Sequence, residues 1–390
     1  MTQQHAICLI VDGLRASALG AYGAAWAPTP ACDVLAAESI LHDRLWCDSP
    51  TLAGFYRAAW TGRHAAARLS IRPEGAPSLP RLLGDAGIAV HLVTDDEQLP
   101  ASIPGDAQDV AGVLLESGHP TAPAAATEST AMYQFFAAAA EEIARGATQR
   151  SGQRRLWWLH CRGFSGAWDA PTVVRDSLWS DDELAPPTFV ESPLRVATDD
   201  PDDLLAHRVT YAAQATVLDQ CVGDFLAAID DLGLGETALV MLAGARGFAL
   251  GEHGETGAAV DALFGERLHV PWLMRPGRDD APRQRRSDLT QPQALLTSIC
   301  EWFGVDAGVH SQDRVATAAL GEDGEWALLT DEWLLRMPPA QGDEPCRGQL
   351  FSKPDDRWEA NEVADRCPDE VAALLAAAAA AGLPVPAAVD

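Results

Sequence analysis

The sequence predicts an α/β fold, a mostly parallel sheet covered by helices on both faces and extended at its C-terminal end by a small antiparallel sheet and helix. Three observations predict it. Short continuous apolar runs alternate with amphipathic helical stretches from residue 6 to about residue 303, and strands buried on both faces read as such runs. Beyond residue 312 this alternation gives way to short strand-like segments around a tight turn. The 390 residues, 47% hydrophobic and 22% charged, also supply enough apolar material for one large core.

Taken in order, Ala6–Val11 is an apolar strand that ends on Asp12, Pro30–Glu38 is a helix, and Ser49–Gly62 leads into another. Leu79–Ala86 is helical and closed by Gly87, before the strand Ile88–Thr94. Residues 101–128, rich in Ala, Pro, Gly and Asp, read as an irregular connection. The helix Met132–Arg145 and the bulky strand Arg155–His160 follow, and then residues 163–203, which read as a long surface excursion. Val217, Leu218, Cys221, Val222, Phe225 and Leu226 share one face of a helix spanning Leu204–Leu232, which feeds the strand Thr237–Leu242. After the strand Val270–Met274, Pro276–Arg286 reads as a basic turn and Leu289–Phe303 as a helix. Glu325–Leu329 and Trp333–Met337 pair around Thr330-Asp331-Glu332, and a strand at Gln349–Ser352 and an Ala-rich helix over Pro368–Ala381 complete the chain.

The formal net charge of −28 argues against a nucleic-acid partner, because that affinity comes largely from Lys and Arg displacing counterions. None of the 8 cysteines stands in CxxC spacing, which leaves no zinc-ribbon or redox motif. The opening MTQQHAICLIVDG lacks a basic n-region and a cleavable apolar stretch, and no later segment reads as a membrane span. The expectation is a cytoplasmic protein with reduced thiols and no membrane contact.

Several blocks stand in a telling order: VDGLRASALGAYG after the first strand, SPTLAGFYRAAWTGRH, SLPRLLGDAGIAVHLVTDD, LLAHRVTYAAQATVLDQCVGDFLAAI, GEHG, ERLHVPWLMRPG, LTDEWLLR and QLFSKPDDRWEANEVAD. Together they resemble the sulfatase family of the alkaline phosphatase superfamily. The resemblance implies a sulfatase-like sandwich with a central mainly parallel mixed sheet. Residues 1–311 would form the catalytic-type domain and 312–390 a small α+β subdomain packed on it. It also implies hydrolysis of sulfate or phosphate esters with a divalent cation, usually Ca2+, held by acidic side chains. The family's nucleophile, a formylglycine made from Cys or Ser in a C/S-x-P-x-R motif, would pass through a covalent intermediate.

Asp12 matches the family's first metal-ligating carboxylate, and Thr61-Gly62-Arg63 its TGR signature. Elsewhere the chain departs from the pattern. Gly13 stands in place of the second Asp, the nucleophile position falls on Leu52, and the Asp-His pair of the second metal strand aligns with Ala245 and Arg246. Ser49 and Thr51 are the nearest hydroxyls to the nucleophile position, with capping of the following helix as their alternative role. Arg57, Arg63 and Arg246 are candidates to bind an anion or to form ion pairs, Arg246 with Asp12 in particular. His160, Asp169, Glu252 and His253 are candidates to line the cleft.

These readings give two expectations. One is a relative without turnover that binds a small anionic ligand or a protein partner through the old cleft and carries no cofactor. The other is a working ester hydrolase that uses Thr51 or Ser49 with Ca2+ or another divalent cation in a site rebuilt around Asp12.

Overall fold

The computed structural model describes residues 5–108, 110–116, 118–149, 152–179, 190–277, 283–309, 316–321, 323–339 and 347–385. In chain order the strands are β1 (His5–Val11), β2 (Ile40–Trp46), β3 (Ala89–Thr94), β4 (Gly112–Leu114), β5 (Arg155–Cys161), β6 (Val196–Ala197), β7 (Ala238–Gly244), β8 (Ala249–Leu250) and β9 (Glu255–Gly257). They continue with β10 (His269–Pro276), β11 (Gln284–Thr290), β12 (Thr317–Leu320), β13 (Trp326–Leu329), β14 (Trp333–Met337) and β15 (Gln349–Ser352). The helices are α1 (Pro30–Ala37), α2 (Leu52–Thr61), α3 (Leu79–Asp85), α4 (Ala131–Gln149), α5 (Thr172–Leu178), α6 (Pro201–Asp231), α7 (Gly265–Leu268), α8 (Gln293–Phe303) and α9 (Pro368–Ala381).

The main sheet runs β11-β2-β10-β7-β1-β5-β3-β4, parallel throughout except that β10 is antiparallel to both of its neighbours. The two-residue period of a strand sorts the apolar run of β1 between two cores. Ile7, Leu9 and Val11 face the layer that holds α1, α4 and α6, whereas Ala6, Cys8 and Ile10 face the layer of α2, α3 and α8. Both faces are therefore covered, which is why the strand carries no polar alternation.

Helix α6 begins earlier than its apolar periodicity suggests. The Asp200 side chain caps it by accepting from the Asp202 amide, and Pro201 occupies the first turn. Of the expected excursion at 163–203, residues 180–189 lie outside the described residues, and the rest includes the short helix α5 and the two-residue strand β6, which pairs with β9 in a small third sheet. Three strands of the main sheet depart from the sequence reading, the first being β4, inside the stretch 101–128 read as an irregular connection. Ile40–Trp46, which carries His42, Asp43 and Arg44 in its centre, is a full member of the main sheet. Of the expected basic turn at Pro276–Arg286, residues 278–282 lie outside the described residues, while Gln284–Arg286 and the expected helix start at Leu289 belong to the edge strand β11, and α8 begins only at Gln293. An edge strand with exposed Arg285 and Arg286 reads as a surface turn because charge is how edges are protected from further pairing.

The C-terminal strands form an antiparallel sheet, β12-β13-β14-β15, with α9 packed on it through Leu374 and Ala378. Its other face, through Ala327, Leu329, Leu334 and Phe351, joins the apolar layer beneath the main sheet. The Leu320 amide donates to the Asp48 carbonyl, tying β12 to the loop that follows β2. The ends of β1, β2, β3, β5 and β7 and the start of β10 thus meet at one edge, where open α/β sheets bind ligands.

Candidate active site

Asp12 is the first residue beyond β1, 2% exposed, and its amide donates to the Cys161 carbonyl at the end of β5. Gly13 follows with φ of +74°, and a Cβ there would lie 2.8 Å from that of Phe164. The turn is therefore suited to glycine, and residue 13 adds no second carboxylate next to Asp12 in the chain. From the end of β7, Arg246 reaches across and binds Asp12 with two prongs, Nε to Oδ1 at 2.8 Å and Nη2 to Oδ2 at 2.9 Å. Burial pushes the carboxyl's pKa upward, but the charge and hydrogen bonds of Arg246 outweigh it and hold the group below its ordinary value. Arg246 itself is fixed by its neighbours: the Ala245 amide donates to the Val11 carbonyl, and the Gly247 amide donates to the Arg267 carbonyl. A Cβ on Gly247 would come within 2.0 Å of the Glu266 carbonyl oxygen, so that approach requires glycine.

His160 lies in β5 beside this pair and is wholly buried. Neither ring nitrogen has a hydrogen-bond partner among the described residues, and Nε2 stands 3.9 Å from Oδ2 of Asp96, too far for a bond. Burial lowers its pKa against the opposing pull of Asp12 and Asp96, with Arg246 adding to the depression. Burial therefore favours the neutral imidazole. On the far side of Arg246, Arg267 is buried and donates to the carbonyls of Gly247, Pro50 and Ala258, and burial together with the nearby Arg246 charge lowers its pKa to about 10.

The remaining candidates take separate positions. Thr51 caps α2, its Oγ1 accepting from the Gly54 amide at 3.1 Å and lying 3.1 Å from Ser49 Oγ. Leu52, at the family's nucleophile position, is the first residue of that helix. Arg57 is paired at 2.6 Å with the buried Asp48, which also accepts from the Ala65 amide. Arg63 makes an exposed pair with Glu74 at 3.2 Å. Asp169 accepts from the Ala131 amide and so ties down the start of α4. Glu252 binds Arg15 at 2.6 Å and accepts from the Leu250 amide. Burial opposes the ionisation of Glu252, but Arg15 prevails and lowers its pKa. His253 bonds Glu266 at 2.7 Å and stacks on Phe264 at 3.5 Å, and the Glu266 carboxylate overcomes burial to raise its pKa.

A calcium ion asks for six to eight oxygen ligands, several of them anionic. The end of β1 offers one carboxylate, both of whose oxygens already accept from a guanidinium. Among the described residues no group of three or more His, Cys, Asp or Glu is arranged to hold a metal. This donor set does not fit a hard dication.

Residues 4–305 match the model of the sulfatase family. The chain belongs to the sulfatase family. It is 32% identical to mouse iduronate 2-sulfatase over 114 residues, 29% of this chain and 20% of the mouse protein. Among solved structures it resembles the phosphonate monoester hydrolase of Agrobacterium radiobacter, with a TM-score of 0.71 at 14% identity over 98% of this chain and 95% of that one. It also resembles a protein solved with its substrate D-glucosamine-2-N,6-O-disulfate, with a TM-score of 0.70 at 13% identity over 97% and 98% of the two chains. At such identities the likeness is one of fold.

Within this sulfatase-family frame, the sequence reading missed Arg15, Asp48, Asp96 and Arg267, all of which sit around the sheet edge. Two of them carried a signal. Arg15 follows Asp12 by three residues in the same block, and Asp96 closes a strand that ends at the same edge as β1.

Proposed function

We propose that this sulfatase-family protein has given up ester hydrolysis at the end of β1 and uses the remaining cleft to bind a small anionic ligand or a protein partner, without a resident metal. One observation carries the reading: the two-pronged contact of Arg246 with Asp12. A dication entering there would have to break a buried ion pair and then sit beside the displaced guanidinium and Arg267. Removing one partner of a buried pair is strongly unfavourable, and two like charges at short range in a poorly solvated site add to that cost. The hydroxyls nearest the nucleophile position are engaged locally, Thr51 as the α2 cap and Ser49 beside it. The net charge of −28 keeps nucleic acid out of the reading. No described helix is long and apolar enough to cross a membrane, and a cytoplasmic location is part of the proposal.

The test is metal content after equilibration with calcium, zinc or manganese, measured together with turnover of aryl sulfate and aryl phosphate esters. The expected result is metal well below one equivalent and no turnover that depends on Asp12. One equivalent of metal, with turnover abolished by Asp12→Ala, would overturn the proposal in favour of a hydrolase with Thr51 or Ser49 as its nucleophile.

A further inference from the structure

A cavity of about 460 Å3 lies outside the Asp12 site, between the start of α6, the loop that carries Trp26 and the loop that carries Trp358. Its apolar wall comes from Leu205, Val209, Ala212 and Leu250, and the two indoles border it. Trp26 is 36%, Trp358 45% and Leu205 44% exposed, so the cavity opens through apolar surface shared by three of its lining residues. Each indole is nevertheless held in place. Trp26 donates through Nε1 to the Ser17 carbonyl and lies against Tyr211, and Trp358 packs beside the guanidinium groups of Arg15 and Arg357.

The charges around this cavity do not cancel. Arg15 is matched by Glu252 at 2.6 Å. Arg208 uses Nε to donate to the Leu250 carbonyl at 3.0 Å, and no carboxylate among the described residues lies within ion-pair distance of it. Among the described lining residues two arginines stand against one glutamate, in a protein whose formal charge is −28. The volume falls in the ordinary range for small-molecule pockets, where apolar walls hold the body of a ligand and a few polar groups orient it.

We propose that this cavity binds a small aromatic monoanion, its ring against the apolar wall beside Trp26 and Trp358 and its charged end on the free nitrogens of Arg208. A guanidinium pairs with a carboxylate-like group through two parallel hydrogen bonds. The one lining guanidinium without a carboxylate partner among the described residues matches a single negative charge. The inference goes beyond the metal-site reading and does not depend on it, because no residue of the Asp12–Arg246 pair lines this cavity.

The experiment is isothermal titration calorimetry of the full chain with 2-naphthoate and with its neutral counterpart 2-naphthamide. Saturable one-to-one binding of naphthoate is expected, weakened about ten- to a hundredfold by Arg208→Ala, the worth of a charge-assisted hydrogen bond. Arg208→Lys should keep part of the affinity. Leu205→Glu, which places a like charge in the apolar wall, should abolish it, while far-UV circular dichroism shows the fold intact. Naphthamide should bind more weakly and be indifferent to Arg208→Ala. Added calcium should change none of these results, which separates them from the metal test. Absence of saturable binding, or equal affinity in wild type and Arg208→Ala, would overturn the proposal. So would concentration-dependent dimerisation that Leu205→Glu removes without any naphthoate binding, a result that would assign the face to a second copy of the chain.

Discussion

Asp12 at the end of β1 and Glu359 at the junction with the C-terminal sheet are both buried carboxylates beside a cation, yet their pKa values move in opposite directions, because the same upward push of burial is overcome only at Asp12. Asp12 meets one guanidinium through both oxygens and stays below the ordinary carboxylate range. Glu359 pairs with Lys353, but burial, reinforced by the neighbouring Glu266 carboxylate, carries its pKa up to about 7. The difference lies in the company each carboxylate keeps. A planar fork satisfies both oxygens of Asp12 without a competing acid in contact, whereas Glu359 shares its surroundings with a second acid. The first arrangement is a closed charge pair, and the second is open to titration.

The largest effect should come from opening the closed pair. Arg246→Ala leaves a buried carboxylate without its partner and should cost about 3 kcal/mol of unfolding free energy, read from urea denaturation. Adding Asp12→Asn should recover part of that loss. If the single and double variants unfold alike, the pair has no coupling and the contrast with Glu359 fails. Next comes the open site. Glu359 rises from 4.5 to about 7 on folding, so the native state holds the extra proton between those values and stability falls as pH rises from about 4.5 to 7. That slope amounts to at most about 3 kcal/mol, and Glu359→Gln should flatten it. Asp12, shifted the other way, adds no pH dependence over this window, where its stabilisation is fully present, and loses it only as pH falls below about 4.

Two smaller effects extend the comparison to less buried groups. Thr51→Ala removes the cap of α2 and should cost about 1 kcal/mol in thermal unfolding, with Thr51→Ser restoring most of it. Recovery by serine alone would not separate cap from nucleophile, so the same variants are assayed against aryl sulfate, where no change is expected. Arg63→Ala breaks an exposed pair with Glu74 and should shift stability by less than about 0.5 kcal/mol. A larger loss would show that Arg63 holds more than a solvated neighbour.

Much of the scaffold was legible in the sequence, because β1, β5 and β7 are continuous apolar runs and α6 repeats its buried face over many turns. The misreadings were local. β2 hides behind His42, Asp43 and Arg44, and β11 hides behind the charges that keep an edge strand from pairing further. At the site, Asp12 and Arg246 are 234 positions apart, and their meeting was named only as one role for Arg246 among several. A spacing argument along one strand or helix cannot supply such a contact, since it depends on β1 and β7 lying side by side in register. The bonds of Glu252 to Arg15 and of His253 to Glu266 were hidden for the same reason.

The glycine that follows Arg246 has a consequence for how such a chain changes over time. Residues 245 and 247 are anchored by main-chain bonds, and Gly247 sits flush against the carbonyl of residue 266. The path of that loop is thus set by backbone alone, whatever group residue 246 presents. A substitution at 246 would therefore leave the course of the loop in place and act through the charge partner that Asp12 loses.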